Sequence, residues 1–228
     1  MEIEIYANAA EVAAAAADLI VENVNSGATT LGLAGGTTPG AAYRLLPGRD
    51  VDWSRVTLWL GDERWVPVND PESNAGMAKA TFVDQVGARL LLPEYDAEHP
   101  ARAASQYETE LFDAFADNRP GLVFLGMGDD GHTASLFPDT HALELTRSGY
   151  VANWVGSKDA WRLTATMPLL WSAEHLVFVV TGAAKAVVLA RILDRRLDYP
   201  AQRVAAGANR VTWLIDEDAA SALSSQPG

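Results

Sequence analysis

Apolar residues along this chain fall into short unbroken runs, separated by longer stretches in which they recur with helical spacing. Unbroken runs of four to six such residues mark strands buried on both faces, and recurrence every three to four positions marks helices. Glu2 to Tyr6 alternates polar with apolar and predicts a first strand, followed by an alanine-rich helix from Ala9 to Asn25 that ends near Ser26-Gly27. Thr29 to Ala34 predicts a second strand. Gly35-Gly36-Thr37-Thr38-Pro39 then opens a helix through Leu46, with proline in the first turn, where its missing N–H costs least. Val56 to Leu60 is the next strand and ends in Gly61-Asp62-Glu63-Arg64. Helices are predicted over Asn74 to Val86 and Ala101 to Ala116, then a strand from Leu122 to Leu125 and a glycine-rich loop, Gly126 to Pro138. Trp161 to Thr166 and His175 to Val180 are further strands. A helix over Ala183 to Asp194, a strand over Val211 to Ile215 and a short helix from Glu217 to about Leu223 complete the series, with Ser221 to Gly228 expected to fray.

Strand followed by helix, repeated, predicts an α/β fold: a doubly wound, mostly parallel sheet with helices on both faces, because parallel neighbours need crossover connections. A chain of 228 residues is expected to form one compact domain, 1–228. Its 49% hydrophobic and 21% charged residues give an ordinary globular balance. The formal charge of −13 argues against a nucleic-acid or anionic-membrane partner, since no Lys/Arg cluster offsets it. Cysteine is absent, which excludes disulfides, thiolate metal sites and cysteine nucleophiles and fits a cytoplasmic protein. Acids near the first residues are unlike a secretory signal, and no run is long enough to span a bilayer. A monomer is the expected state.

Chemistry concentrates where strands end, because open α/β sheets bind ligands outside the carboxyl ends of their strands. His132, in Gly126-Met127-Gly128-Asp129-Asp130-Gly131-His132, stands at such an end. Beside Asp130, a neutral imidazole could take a proton from water near neutral pH; the alternative is a histidine that only braces a tight loop. Gly35-Gly36-Thr37-Thr38 has the parts of a phosphate cradle or, equally, of a tight turn with a threonine cap. It matches neither the Walker A nor the dinucleotide fingerprint. Arg64 in Asp62-Glu63-Arg64 could neutralise an anion while a neighbouring carboxylate holds it, or form a solvated ion pair. Arg162 and Lys185 are cations of the same ambiguity: phosphate clamps or solvated side chains. His99, His132, His141 and His175 show no metal-binding spacing, so no metal is expected. No G-x-S-x-G elbow exists, and the seven tryptophans are scattered and read as packing residues in preference to a carbohydrate platform.

Taken together, Leu31 to Pro39, Gly61-Asp62-Glu63-Arg64 with Ser73-Asn74, and Gly126-x-Gly-x-Asp-Gly-His-Thr-Ala-Ser-Leu-Phe-Pro138 resemble the 6-phosphogluconolactonase family. The likeness continues through Arg162-Leu163-Thr164, Val180-Thr181-Gly182 with Lys185, Pro200 to Val204 and Thr212 to Asp216. It implies a Rossmann-like fold shared with glucosamine-6-phosphate deaminases and a carboxylic ester hydrolase that opens 6-phospho-D-glucono-1,5-lactone without cofactor or metal. By that resemblance His132 activates water, Arg64 offsets charge at the lactone, and Asp62 or Asp130 orients the cations or the imidazole. Gly35, Gly36, Thr37, Thr38, Arg162 and Lys185 would then hold the phosphate. Two rivals stand beside this. Deaminases resemble Asp-Glu-Tyr after the third strand and Gly-His-Ile-Ala-Phe-Asn-Glu-Pro at the histidine, where this chain has Asp62-Glu63-Arg64 and His132-Thr133-Ala134-Ser135-Leu136-Phe137-Pro138. A sugar-phosphate sensor domain would be expected to follow a helix-turn-helix, for which the first strand at Glu2 leaves no room.

Overall fold

The computed structural model describes residues 1–115 and 119–224. Ala116, at the end of one expected helix, and residues 225–228 of the expected frayed end lie outside them. The elements are β1 (Glu2–Tyr6), α1 (Ala9–Asn25), β2 (Thr30–Leu33), α2 (Thr37–Tyr43), β3 (Thr57–Leu60) and β4 (Asp62–Arg64). Next come α3 (Asn74–Ala78), continued by a π-helical turn over Lys79–Val83 into α4 (Asp84–Val86), then β5 (Arg89–Leu90), α5 (Pro100–Ala114) and β6 (Leu122–Leu125). They are followed by β7 (Tyr150–Val155), β8 (Ala160–Ala165), α6 (Met167–Trp171) and β9 (His175–Val180). The last four are α7 (Ala186–Leu193), α8 (Pro200–Gly207), β10 (Val211–Asp216) and α9 (Glu217–Ala220).

Seven strands form one sheet in the order β1-β10-β9-β6-β2-β3-β5, every neighbouring pair parallel. The unbroken apolar runs explain why it is covered on both sides. Along β6, Val123 and Leu125 enter one apolar cluster and Leu122 and Phe124 the other; along β9, Leu176, Phe178 and Val180 alternate with Val177 and Val179 in the same way. Helices α1 and α2 and the 74–86 segment cover one face, with Val12, Ala16, Ile20, Tyr43 and Phe82 buried there. Residues of α5, α6, α7, α8 and α9 cover the other, among them Tyr107, Leu170, Leu189, Val204 and Ala219. The alanines of α1 let that helix lie close to the sheet, and Asn8 caps it by accepting from the Ala10 and Glu11 amides.

A second, three-stranded antiparallel sheet, β4-β8-β7, departs from the expectation. Asp62-Glu63-Arg64 is not a loop at the end of β3 but an edge strand of this sheet, and the 161–166 strand pairs there instead of joining the parallel sheet. Strands β5 and β7 and helices α6 and α8 were not anticipated. Nor are the tryptophans all buried packing residues. Trp154 and Trp161 pair across β7 and β8 at 5.5 Å and stay exposed, and the Trp65 amide extends the ladder by donating to the Trp161 carbonyl.

One buried polar group gives the fold a pH dependence. His175, at the start of β9, is 3% exposed, and its Nε2 lies 2.9 Å from the Thr212 hydroxyl of β10. Burial, aided by the charge of Arg210, pushes its pKa down from 6.5 to about 4. The unfolded chain therefore takes up this proton first as the pH falls. Stability present above pH 6.5 is lost on acidification towards pH 4, by at most about 3 kcal/mol at roughly 1.4 kcal/mol per pH unit. Urea melts from pH 7 to 4 are expected to show a shallower loss in His175→Gln than in the wild type over that window.

Candidate active site

The strand order reverses between β2 and β6: the chain runs outward from β2 through β3 to β5, then restarts beside β2 with β6 and runs the other way through β9 and β10. Loops leaving two adjacent strands in opposite directions open a crevice at their carboxyl ends. A cavity of about 330 Å³ lies there, lined by Gly35, Gly36, Thr37, Thr38, Asp62, Arg64, Asn74, Gly128, His132, Ala134, Thr181 and Lys185, among others. All the expected site residues on its wall come from segments distant in sequence. Asp130 joins them through its contact with His132, and Arg162 is the register partner of Arg64 on the neighbouring strand, outside the lining.

His132 sits in a loop built to hold it. The Gly128 amide donates to the His132 carbonyl at 2.9 Å and the Gly131 amide to the Gly128 carbonyl at 3.0 Å. Asp130 Oδ1 accepts from the His132 amide at 3.1 Å and lies 2.5 Å from His132 Nδ1. Phe137 stacks on the imidazole at a centroid distance of 3.8 Å. Burial works against ionisation of Asp130, but the hydrogen bond and charge of His132 prevail and hold its pKa below the usual carboxylate value. An ionised carboxylate only accepts, so Nδ1 donates to it, and in the neutral imidazole the lone pair then falls on Nε2. Gly128 is required at its position, because a Cβ there would stand 2.1 Å from His132 Nδ1. Helix α8 braces the loop from behind: the Ala201 amide donates to the Gly131 carbonyl, and the Tyr199 ring leaves no room for a side chain at Gly131, whose φ is +75°.

Arg64 and Arg162 are directly paired across β4 and β8, and Asp62 and Thr164 share their face. Like charges placed opposite each other are unfavourable, and the pair forms a local cationic centre that the carboxylates of Asp62, Glu72 and Glu63 offset in part. Burial, then the charge of Arg64, pulls the Arg162 guanidinium below its ordinary pKa, and its Nε is buried without a partner among the described residues. The expected carboxylate clamp on Arg64 is absent from the described residues; Nη1 instead donates to the Glu72 carbonyl at 2.8 Å. Glu63 points to the other face of β4. Its carboxylate accepts from the Asn74 and Ala75 amides and the Ser73 hydroxyl at 2.7, 2.8 and 3.0 Å, fastening the start of α3. Burial raises its pKa against those bonds.

On the glycine-loop wall of the cavity, Gly36 adopts φ +102° ahead of α2, and Tyr43 holds the preceding Ala34 through both of its backbone groups. The Thr38 hydroxyl lies 2.8 Å from that of Thr181, which the sequence had not singled out as a site residue. Lys185 Nζ is 2.5 Å from Asp129 Oδ1. Asn74 is a second such addition: it is buried against Gly35, where a Cβ would come within 1.9 Å of its Oδ1, and its Nδ2 donates to the Asp62 carbonyl at 2.9 Å. Among the described residues no group of three His, Asp or Glu side chains is placed to hold a metal ion, and no helix is long and apolar enough to cross a membrane.

Comparison with known proteins agrees with this architecture. A 6-phosphogluconolactonase from Synechocystis is 39% identical over 213 residues, covering 86% of this chain and 85% of its own length. The structure of a 6-phosphogluconolactonase from Trypanosoma brucei superposes with a TM-score of 0.85 at 25% identity, covering 98% of each chain. A monomeric glucosamine-6-phosphate deaminase of the NagB superfamily superposes with a TM-score of 0.83 at 22% identity, over 97% of this chain and 100% of its own, and so shares the fold. Residues 5–213 match the model of the family described as glucosamine-6-phosphate isomerases/6-phosphogluconolactonase. The chain belongs to that family.

Proposed function

We propose that the chain hydrolyses 6-phospho-D-glucono-1,5-lactone to 6-phospho-D-gluconate, the second step of the oxidative pentose phosphate pathway, with water activated by His132. It is a carboxylic ester hydrolase. The observation that carries this reading is the His132–Asp130 pair, which leaves Nε2 free in the cavity that also holds Arg64, Lys185 and the glycine loop. A lactone is an activated ester, so a base, a water and charge stabilisation suffice, and no step calls for a metal or organic cofactor.

Nε2 takes a proton from water as the water oxygen bonds to the lactone carbonyl carbon. The carbonyl electrons move to its oxygen, and the resulting oxyanion is stabilised by the cationic centre around Arg64. Collapse of this intermediate breaks the bond to the ring oxygen, which receives the proton back from the imidazolium and leaves as a hydroxyl. The new carboxylic acid then ionises. Gly35, Gly36, Thr37 and Thr38 offer backbone amides and hydroxyls to the phosphate, with Lys185 exchanging Asp129 for it and Arg162 adding charge from the strand beside Arg64. Holding that end fixes the carbonyl relative to His132, so binding energy remote from the reaction serves orientation. Asp130 sets the imidazole tautomer, and Asp62 braces the loop that carries it. The protein acts alone on its small substrate, as a cytoplasmic monomer.

Two substrates test the reading. Unphosphorylated gluconolactone is expected to lose at least about 100-fold in kcat/KM, because it lacks the anchored end. Glucosamine 6-phosphate is expected to release no ammonia. Equal rates on both lactones would remove the phosphate subsite, and ammonia release would move the chain to the deaminase branch.

A further inference from the structure

Between β4, which carries Arg64, and the loop that carries His132 runs a buried polar network. Ser135 is its centre and is 2% exposed. Its hydroxyl donates to Asp62 Oδ2 at 2.7 Å, its amide to the Thr164 hydroxyl at 3.2 Å, and its carbonyl accepts from Asn153 Nδ2 at 2.9 Å. Every polar group of this residue is thus committed to the three-stranded sheet. Asp62 is itself held by Asn74 at its carbonyl, and it precedes Arg64 by two residues on the same face of β4. Between Ser135 and His132, Ala134 is forced to φ +48°, a left-handed conformation costly for alanine, and Thr133 fixes the loop's other side by donating to the Gly126 carbonyl. A strained backbone persists only where its surroundings over-determine it, and here the hydroxyl of Ser135 supplies the link to Asp62.

We infer that Ser135 is a positioning residue: by tying Asp62 to the histidine loop it sets the placement of His132 relative to Arg64. The cation stands on β4 of the three-stranded sheet and the base on the loop that follows β6 of the parallel sheet, and among the described residues the Ser135–Asp62 bond is the side-chain–side-chain hydrogen bond joining the histidine loop to the strand of Arg64. Its loss is expected to leave substrate binding largely intact while displacing base from carbonyl, since among the described residues Thr38 and Lys185 bond Thr181 and Asp129, and Asn74, which packs on Gly35, is held chiefly by the Asp62 backbone carbonyl. This inference rests on the lactonase reading for its kinetic consequence and on geometry alone for the link.

The test compares wild type, Ser135→Ala, Ser135→Cys, Asp62→Ala and the Ser135→Ala/Asp62→Ala double variant on freshly generated 6-phosphogluconolactone. Melting temperatures and the imidazole proton resonances of His132 are recorded alongside. Ser135→Ala is expected to lower kcat by about 100-fold with KM nearly unchanged, Ser135→Cys to recover part of it, and the double variant to be no slower than Asp62→Ala. The His132 resonances should shift in Ser135→Ala even where melting is unchanged. A folded Ser135→Ala with wild-type kcat and unshifted resonances overturns the inference, as do multiplicative losses in the double variant. Should Ser135→Ala not fold, wild-type kcat and resonances in Ser135→Cys would overturn it equally. An inactive wild type would contradict the lactonase reading, and the resonances would then decide the link by themselves.

Discussion

His132→Ala is expected to lower kcat by about 10²- to 10⁴-fold, the usual contribution of a positioned general base, while KM for the lactone changes little. The ring is partly exposed at the cavity wall, and its removal opens no void in either apolar cluster, so folding should be retained. Its Nε2 makes no hydrogen bond among the described residues, whereas Nδ1 is committed to Asp130. That asymmetry separates a base from a loop brace: a brace would lose stability on replacement and a base would lose turnover. Asp130→Asn provides the finer comparison. An amide that presents its N–H to Nδ1 forces the ring proton onto Nε2, the wrong tautomer for accepting a proton from water. A large fall in kcat with unchanged melting is therefore expected there too, measured by steady-state kinetics beside thermal denaturation.

Arg64→Ala should be nearly as damaging, with kcat reduced by about 10²- to 10³-fold, as for the loss of one preorganised oxyanion donor. Arg64 is bound to a carbonyl and faced by Arg162, and among the described residues no carboxylate forms an ion pair with it. The same pairing predicts that stability will not suffer, since removing one of two opposed guanidinium groups relieves repulsion. Arg64→Lys keeps the charge and loses the planar fork, and should fall between the two. Steady-state kinetics of the three proteins, with urea melts, would check this. A raised KM at constant kcat would instead reassign Arg64 to ground-state binding of the phosphate.

Much of this site was legible in the chain because its parts follow strands that announce themselves. Leu122 to Leu125 and His175 to Val180 read as buried strands from their apolar runs alone, and the Gly35–Thr38 and His132 loops follow such strands directly. The three-stranded sheet was not legible in the same way. Asp62-Glu63-Arg64 is too short and too charged to look like a strand, and its pairing partner begins nearly a hundred residues later. Its two faces are set by that partner and both are covered, so the division of labour among Asp62, Glu63 and Arg64 appears only in three dimensions. Helix α8 did carry a signal, a proline at its first position and a glycine at its last, but in eight residues the apolar stripe is brief. The polar contacts of Asn74, Ser135 and Thr181 span 12, 73 and 143 residues, and no local pattern encodes them.

The most direct measurement follows 6-phosphogluconate formation from freshly generated 6-phosphogluconolactone, with the spontaneous rate subtracted and His132→Ala run in parallel. Turnover far above the spontaneous rate, abolished in a folded His132→Ala, is the expected result. Turnover that survives the substitution, or no rate above background in the wild type, would contradict histidine-activated lactone hydrolysis.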